Sequence, residues 1–138
     1  IINLDKNSSI HLQSFPEIPI KWEDKKLFEK WEHFKTIRKV VNAAIEVKRS
    51  NKEIGSSLEA DVQVYLNEDY LKIVENLDLP ENFITSKATA MKLNKDEIFF
   101  KLDDVENINV FVKKAIGEKC PRCWKIFPDP CKRCSLKN

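Results

Sequence analysis

All four cysteines of this 138-residue chain fall in one short stretch, as Cys120-Pro121-Arg122-Cys123 and, after a seven-residue spacer, Cys131-Lys132-Arg133-Cys134. Two thiols three residues apart can fold over a single ion. Two such pairs complete a tetrahedron, with sulfur about 2.3 Å from a zinc ion. Four thiolates leave no coordination position open, so a zinc held this way is structural rather than catalytic. In a tail with almost no apolar core, metal binding supplies the folding free energy. Two disulfides are an alternative, but they need an oxidising compartment, and nothing in the sequence suggests secretion. A rubredoxin-like iron site is a second alternative. A thioredoxin-like redox pair fits less well, because the pair is duplicated and does not sit between a strand and a helix.

The residues beside the thiols carry their own chemistry. Arg122 and Arg133 each precede the second cysteine of a pair, and Trp124 directly follows Cys123. A guanidinium beside an exposed indole on a metal-clamped turn suits an unpaired base: the ring stacks and the arginine pairs or bridges phosphate. The same indole equally suits a lid on the metal site or a contact that docks the knuckle. Both readings stay open on the residues alone.

The net charge of +2 conceals a pattern. Residues 1–52 carry 11 Lys/Arg against 7 Asp/Glu, residues 53–112 carry 5 against 13, and residues 113–138 carry 8 against 2. Two basic ends flank an acidic middle. Basic ends suit a polyanion, whereas the acidic stretch disfavours a nucleic-acid backbone on its faces. The only glycines are Gly55 and Gly117, and no Walker loop, Gly-x-Gly-x-x-Gly or Gly-x-Ser-x-Gly occurs. A backbone cradle for nucleotide phosphates needs several glycines, so a nucleotide reaction run by this stretch alone is not expected. No apolar run approaches the roughly 20 residues of a membrane span. The start, Ile1-Ile2-Asn3-Leu4-Asp5, has neither Met nor a signal-peptide pattern and reads as a piece of something longer.

Periodicity predicts an α+β chain. Residues 1–22 hold Pro16 and Pro19 and read as an ordered loop, with His11 a packed or capping residue. Leu27, Trp31, Phe34, Ile37, Val41, Ala44 and Ile45 then recur at helical spacing. The helix is expected from Asp24, as N-cap, to about Asn51, with Gly55 as its left-handed stop. Lys25, Lys26, Lys30, Lys39 and Arg49 line its other face, either solvated or tracking phosphates. A helix this long is expected to pack in a bundle with helices upstream of residue 1. Alternation predicts a strand over 54–66, and Asn67 caps a helix from Glu68 to about Asn76. Strands follow over 83–93 and 98–102, joined by a hairpin at Asn94-Lys95-Asp96, and a last strand runs over 108–115. The expected sheet is small and antiparallel. The expected divisions are 1–52, the end of a helical domain; 53–116, an α+β module; and 117–138, a zinc knuckle tail built on the four cysteines.

Three stretches together resemble one family. They are Ser9-Ile10-His11-Leu12 with Phe15-Pro16-Glu17; Arg49-Ser50-Asn51-Lys52-Glu53-Ile54-Gly55-Ser56-Ser57-Leu58-Glu59-Ala60; and Lys119-Cys120-Pro121-Arg122-Cys123-Trp124, ending in Cys131-Lys132-Arg133-Cys134. In this order they are similar to the carboxy-terminal end of bacterial isoleucyl-tRNA synthetases, class I enzymes that join isoleucine to its tRNA with ATP. The resemblance implies the end of the helical anticodon-binding domain, a junction module and a zinc-binding tail. It also implies a cytoplasmic, monomeric parent enzyme. ATP and Mg2+ then belong to the catalytic domain, whose motifs are not in this chain, and the chain alone is expected to be inactive. Partners are tRNA(Ile) and the enzyme's upstream domains. The resemblance gives Arg122 and Trp124 contacts with anticodon bases. Arg133, Lys25 and Lys39 are the further residues expected to bind tRNA. The chain departs from the family in the short spacer between its cysteine pairs, stiffened by Pro128 and Pro130. The rivals are a zinc-knuckle module for protein interaction and the zinc-finger tail of a DNA glycosylase.

Overall fold

The computed structural model describes residues 9, 11, 14–94 and 99–135. After a short 3-10 turn at Ile20–Trp22, helix α1 runs over Lys25–Ser50. Asp24 starts it as expected, its carboxylate accepting the amide of Leu27 at 2.9 Å. Its end differs from the expectation. Lys52, at φ 61°, takes the left-handed position, and Gly55 does not have a positive φ. The Lys52 amide bonds the Arg49 carbonyl at 3.0 Å and the Glu53 amide bonds the Lys48 carbonyl at 3.0 Å. That is the double closure of a Schellman motif, made three residues before the glycine.

The expected strand over 54–66 shortens to β1, Ala60–Leu66. The Gly55 amide is drawn to the Glu59 carboxylate at 3.0 Å, and residues 57–59 turn as a 3-10 helix instead of extending. Asn67 then caps α2, Glu68–Val74, by accepting the Tyr70 amide. A further short helix, α3 at Leu79–Asn82, has no counterpart among the expected elements; Asp78 caps it and Pro80 lies in its first turn. The turn that closes it, over residues 83–86, takes the start of the strand expected over 83–93, leaving β2 at Lys87–Lys92. β3 spans Ile108–Lys114, close to expectation.

The sheet is mixed, with order β2-β1-β3, rather than antiparallel. β1 pairs antiparallel with β3 (Val62 opposite Val112) and parallel with β2 (Val62 opposite Ala88). The reason is the connection: α2 and α3 carry the chain back to the starting end of β1, which makes the next strand parallel. Among the described residues, β2 pairs with β1 and no pairing joins it to the strand expected over 98–102. Phe100 instead bridges Val110, on β3. Lys95, Asp96 and Ile98, on which part of that expectation fell, lie outside the described residues, as do Ile10 and Leu12.

One face of the sheet packs on α1. Phe34, Ile37, Val40, Val41, Ala44 and Ile45 of the helix join Val62, Val64, Leu66, Val110 and Val112 in one buried cluster, with Val74 and Phe83 closing its edge. Phe34 stacks on Phe83 with ring centroids 5.6 Å apart. The first turns of α1 lie outside this core. Leu27 and Trp31, which share the helical spacing of the buried residues, are exposed, and with Trp22 and Phe28 they line an open groove of about 450 Å³.

Candidate metal centre

Beyond β3 the chain turns at Gly117, whose φ of 130° suits only glycine. It then forms a two-stranded hairpin, β4 at Glu118–Lys119 and β5 at Ile126–Phe127. The first cysteine pair sits between these strands. The Trp124 amide bonds the Cys120 carbonyl at 2.9 Å and the Cys120 amide bonds the Lys125 carbonyl at 2.9 Å, closing the knuckle turn. The second pair belongs to the last described turn, α4 at Lys132–Ser135, where the Cys134 amide bonds the Cys131 carbonyl at 3.1 Å.

The four sulfurs converge as the spacing predicts. The Sγ atoms of Cys120, Cys123, Cys131 and Cys134 all lie within 4.8 Å of one another. Those of Cys123 and Cys131 are 3.7 Å apart. A tetrahedral zinc site with 2.3 Å bonds has sulfurs about 3.8 Å apart, so the cluster fits one tetrahedral ion. It does not hold disulfides, since all four thiols are free. The backbone amides of Cys123 and Arg122 stabilise the Cys120 thiolate and bring its pKa down to about 6. Burial and the neighbouring sulfurs push Cys134 up to about 12, and burial also raises Cys123. Cys120 is thus ready as an anion, while Cys123 and Cys134 are favoured as thiolates only beside a cation.

The knuckle is fastened to the α+β module by groups that sequence patterns did not reveal. Lys125 is buried, and its ammonium meets Glu81 Oε1 at 2.5 Å and the Pro80 carbonyl at 3.5 Å. The Ile126 amide donates to Ser86 Oγ at 2.6 Å, and the Ser86 hydroxyl donates to the Leu58 carbonyl. Lys119 Nζ reaches Glu59 Oε1 at 3.4 Å. A buried lysine in a basic tail carries no periodic signal, and Ser86 carries none either.

Of the other predicted site residues, Trp124 stands 60% exposed at φ 65°, with Lys119 Nζ 6.0 Å from its ring centroid. Arg122 is exposed on the same turn. The side chain of Arg133 lies outside the described residues. Lys25 is exposed at the start of α1. Lys39 is not a free cation: it pairs with Asp104 Oδ2 at 2.5 Å. Elsewhere on the basic face, Lys35 pairs with Glu32, Lys48 with Glu53 and Arg49 with Glu46.

Fold and site together define an α+β module with a basic, aromatic-bearing tail whose four clustered cysteines could hold one metal ion. The isoleucine–tRNA ligase of Pelagibacter ubique is 42% identical to the chain over 133 residues, 96% of the chain and 14% of that protein. That of Bartonella henselae is 39% identical over 125 residues, 90% of the chain and 13% of the relative. That of Natranaerobius thermophilus is 36% identical over 144 residues, 95% of the chain and 16% of the relative. No protein-family model matches the chain. The chain belongs to the isoleucine–tRNA ligase family, and it spans only 13–16% of the length of these relatives.

Proposed function

We propose that the chain is the tRNA-binding, zinc-containing C-terminal part of a bacterial, cytoplasmic isoleucine–tRNA ligase. The observation that carries this reading is the exposed Trp124, with Lys119 over its ring, on a turn closed by four converging thiols. An indole held rigid and outward is a stacking platform, and the neighbouring cations Arg122 and Lys119 suit the base or phosphate beside it. Arg133 adds a cation to the tail. Lys25 supplies a phosphate contact at the start of α1, and Lys39 does so only in exchange for Asp104. The chain positions tRNA(Ile) and its anticodon, while ATP-dependent isoleucylation, with its ATP and Mg2+, belongs to other domains of the same enzyme.

In this reading residues 1–52 end the helical anticodon-binding domain, 53–116 form the junction module, and 117–138 form the zinc tail. The groove of Trp22, Leu27, Phe28 and Trp31 is the surface on which the enzyme's upstream helices pack. The ion is one structural zinc held by Cys120, Cys123, Cys131 and Cys134; it organises the turn and takes no part in chemistry. The test is binding of the chain to tRNA(Ile) and to a tRNA with a different anticodon across a salt series. Cognate preference that persists at high salt supports the reading. Equal, wholly salt-sensitive binding of both tRNAs overturns it.

A further inference from the structure

The segment Ile54-Gly55-Ser56-Ser57-Leu58-Glu59-Ala60 stands out in the sequence, and neither the sulfur cluster nor the RNA-facing turn uses it directly. In the fold it lies against the metal-binding tail. The Leu58 carbonyl accepts from Ser86, which in turn accepts the Ile126 amide at 2.6 Å. The Glu59 carboxylate is held by the Gly55 amide at 3.0 Å and receives Lys119 at 3.4 Å. The second half of the contact is the corner between α3 and β2, where Glu81 and the Pro80 carbonyl receive the buried Lys125. Lys119, Lys125 and Ile126 all belong to the hairpin that carries Cys120 and Cys123.

We propose that Leu58, Glu59, Glu81 and Ser86 form a seat whose occupation by the tail is thermodynamically coupled to metal binding, and that this seat positions Trp124 toward RNA. The positioning role rests on the reading of Trp124 as a base contact; the coupling does not. The argument is geometric. The Cys120–Cys123 turn must close for the metal to bind, and its closure fixes the directions of Lys119, Lys125 and Ile126. Those are the three residues that fill the seat. Coupling between two sites acts in both directions. A metal that closes the turn strengthens docking, and a seat that holds the turn closed strengthens metal binding. An ammonium left buried without Glu81, or an Ile126 amide left without Ser86, raises the cost of the closed turn.

The test uses the full chain and Zn2+ as the probe, with affinity read by competition against a chromophoric chelator. Glu81→Gln and Ser86→Ala are each expected to weaken Zn2+ binding by about fivefold or more. The charge exchange Glu81→Lys with Lys125→Glu is expected to recover part of the loss. Lys72→Gln, which breaks the exposed Lys72–Asp69 pair, serves as the control. Hydrogen exchange supplies the second readout: Zn2+ removal is expected to raise exchange at residues 57–60 and 84–88, far from the sulfurs in sequence. Unchanged Zn2+ affinity in both seat variants, with unchanged exchange there on metal removal, overturns the coupling. If the coupling holds but Glu81→Gln binds tRNA(Ile) as the parent does at saturating Zn2+, the positioning role fails alone. That outcome is distinct from loss of the RNA reading, in which Trp124→Ala also has no effect.

Discussion

Lys119 Nζ lies 6.0 Å from the centroid of the Trp124 ring, and the same ammonium reaches back 3.4 Å to Glu59. One lysine thus ties the exposed indole to the segment that precedes the sheet. Trp124 itself sits at φ 65°, a conformation that costs an L residue about 1 kcal/mol and holds the ring away from the tail's own interior.

Trp124→Ala is therefore expected to weaken cognate tRNA binding by about 1–3 kcal/mol, the usual loss of one stacked base, with little dependence on salt. Lys25→Ala should act differently, weakening cognate and non-cognate tRNA alike and lowering the salt slope by about one unit or less. Lys39→Ala should do less than Lys25→Ala, because Lys39 is already paired with Asp104. Filter binding across a salt series separates the three, with metal content measured in each variant. A Trp124→Ala protein that keeps its metal and its tRNA affinity would make the indole a lid only.

Gly117→Ala should disable the tail selectively. A Cβ at this position would lie 1.9 Å from the Phe127 carbonyl oxygen, and the backbone φ of 130° is strained for any other residue. The expected result is loss of the β4–β5 hairpin and of metal binding, with α1 and the three-stranded sheet retained. Metal analysis together with circular dichroism checks this; about one zinc per chain in the parent and clearly less in the variant is the predicted outcome.

Lys52→Gly should stabilise the chain. Lys52 holds the left-handed position that ends α1 and is exposed there. Glycine adopts that conformation without a Cβ clash, so a gain of about 0.5–1 kcal/mol is expected in denaturant unfolding. No gain would mean that the cost is already relieved in the folded chain.

Glu59 links stability to pH. The Gly55 amide, followed by Lys119 and Lys114, holds its carboxyl below the usual 4.5. A carboxylate whose folded pKa is depressed stabilises the fold above its unfolded pKa. That contribution disappears as pH falls through the lower folded value. Glu59→Gln should thus lower stability by about 1–2 kcal/mol at pH 7, and the difference from the parent should shrink progressively below pH 4.5. Thermal unfolding at several pH values measures it; a difference independent of pH would assign the effect to packing.

The sequence made local features readable and left the pairing partners hidden. Asp24, Asn67 and the two Cys-x-x-Cys pairs act through neighbours a few residues away, and all four features appear where spacing put them. Alternation marked β1 and β3 but carries no record of strand partners, so the parallel pairing of β2 was not visible. α3 is a single turn, too short for a period. Leu27 and Trp31 keep the helical spacing yet stand outside the core, since periodicity marks the apolar face and not what covers it. The seat residues were least visible, because Lys125 and Glu81 meet across the fold and each looks like ordinary surface charge.

The central position of β1 has a consequence for how the chain is made. Its residues pair with Lys87–Lys92 on one side and Ile108–Lys114 on the other. On a ribosome, β1 emerges long before the strand that completes its second edge. Until Lys114 has left the exit tunnel, the amides and carbonyls along that edge are open to any extended segment nearby. The slow part of folding is then the capture of β3, a contact between residues distant in sequence, rather than formation of α1, whose bonds are all local. A stalled or truncated product ending before Ile108 would carry that open edge permanently, together with the apolar face of α1 that β3 normally covers.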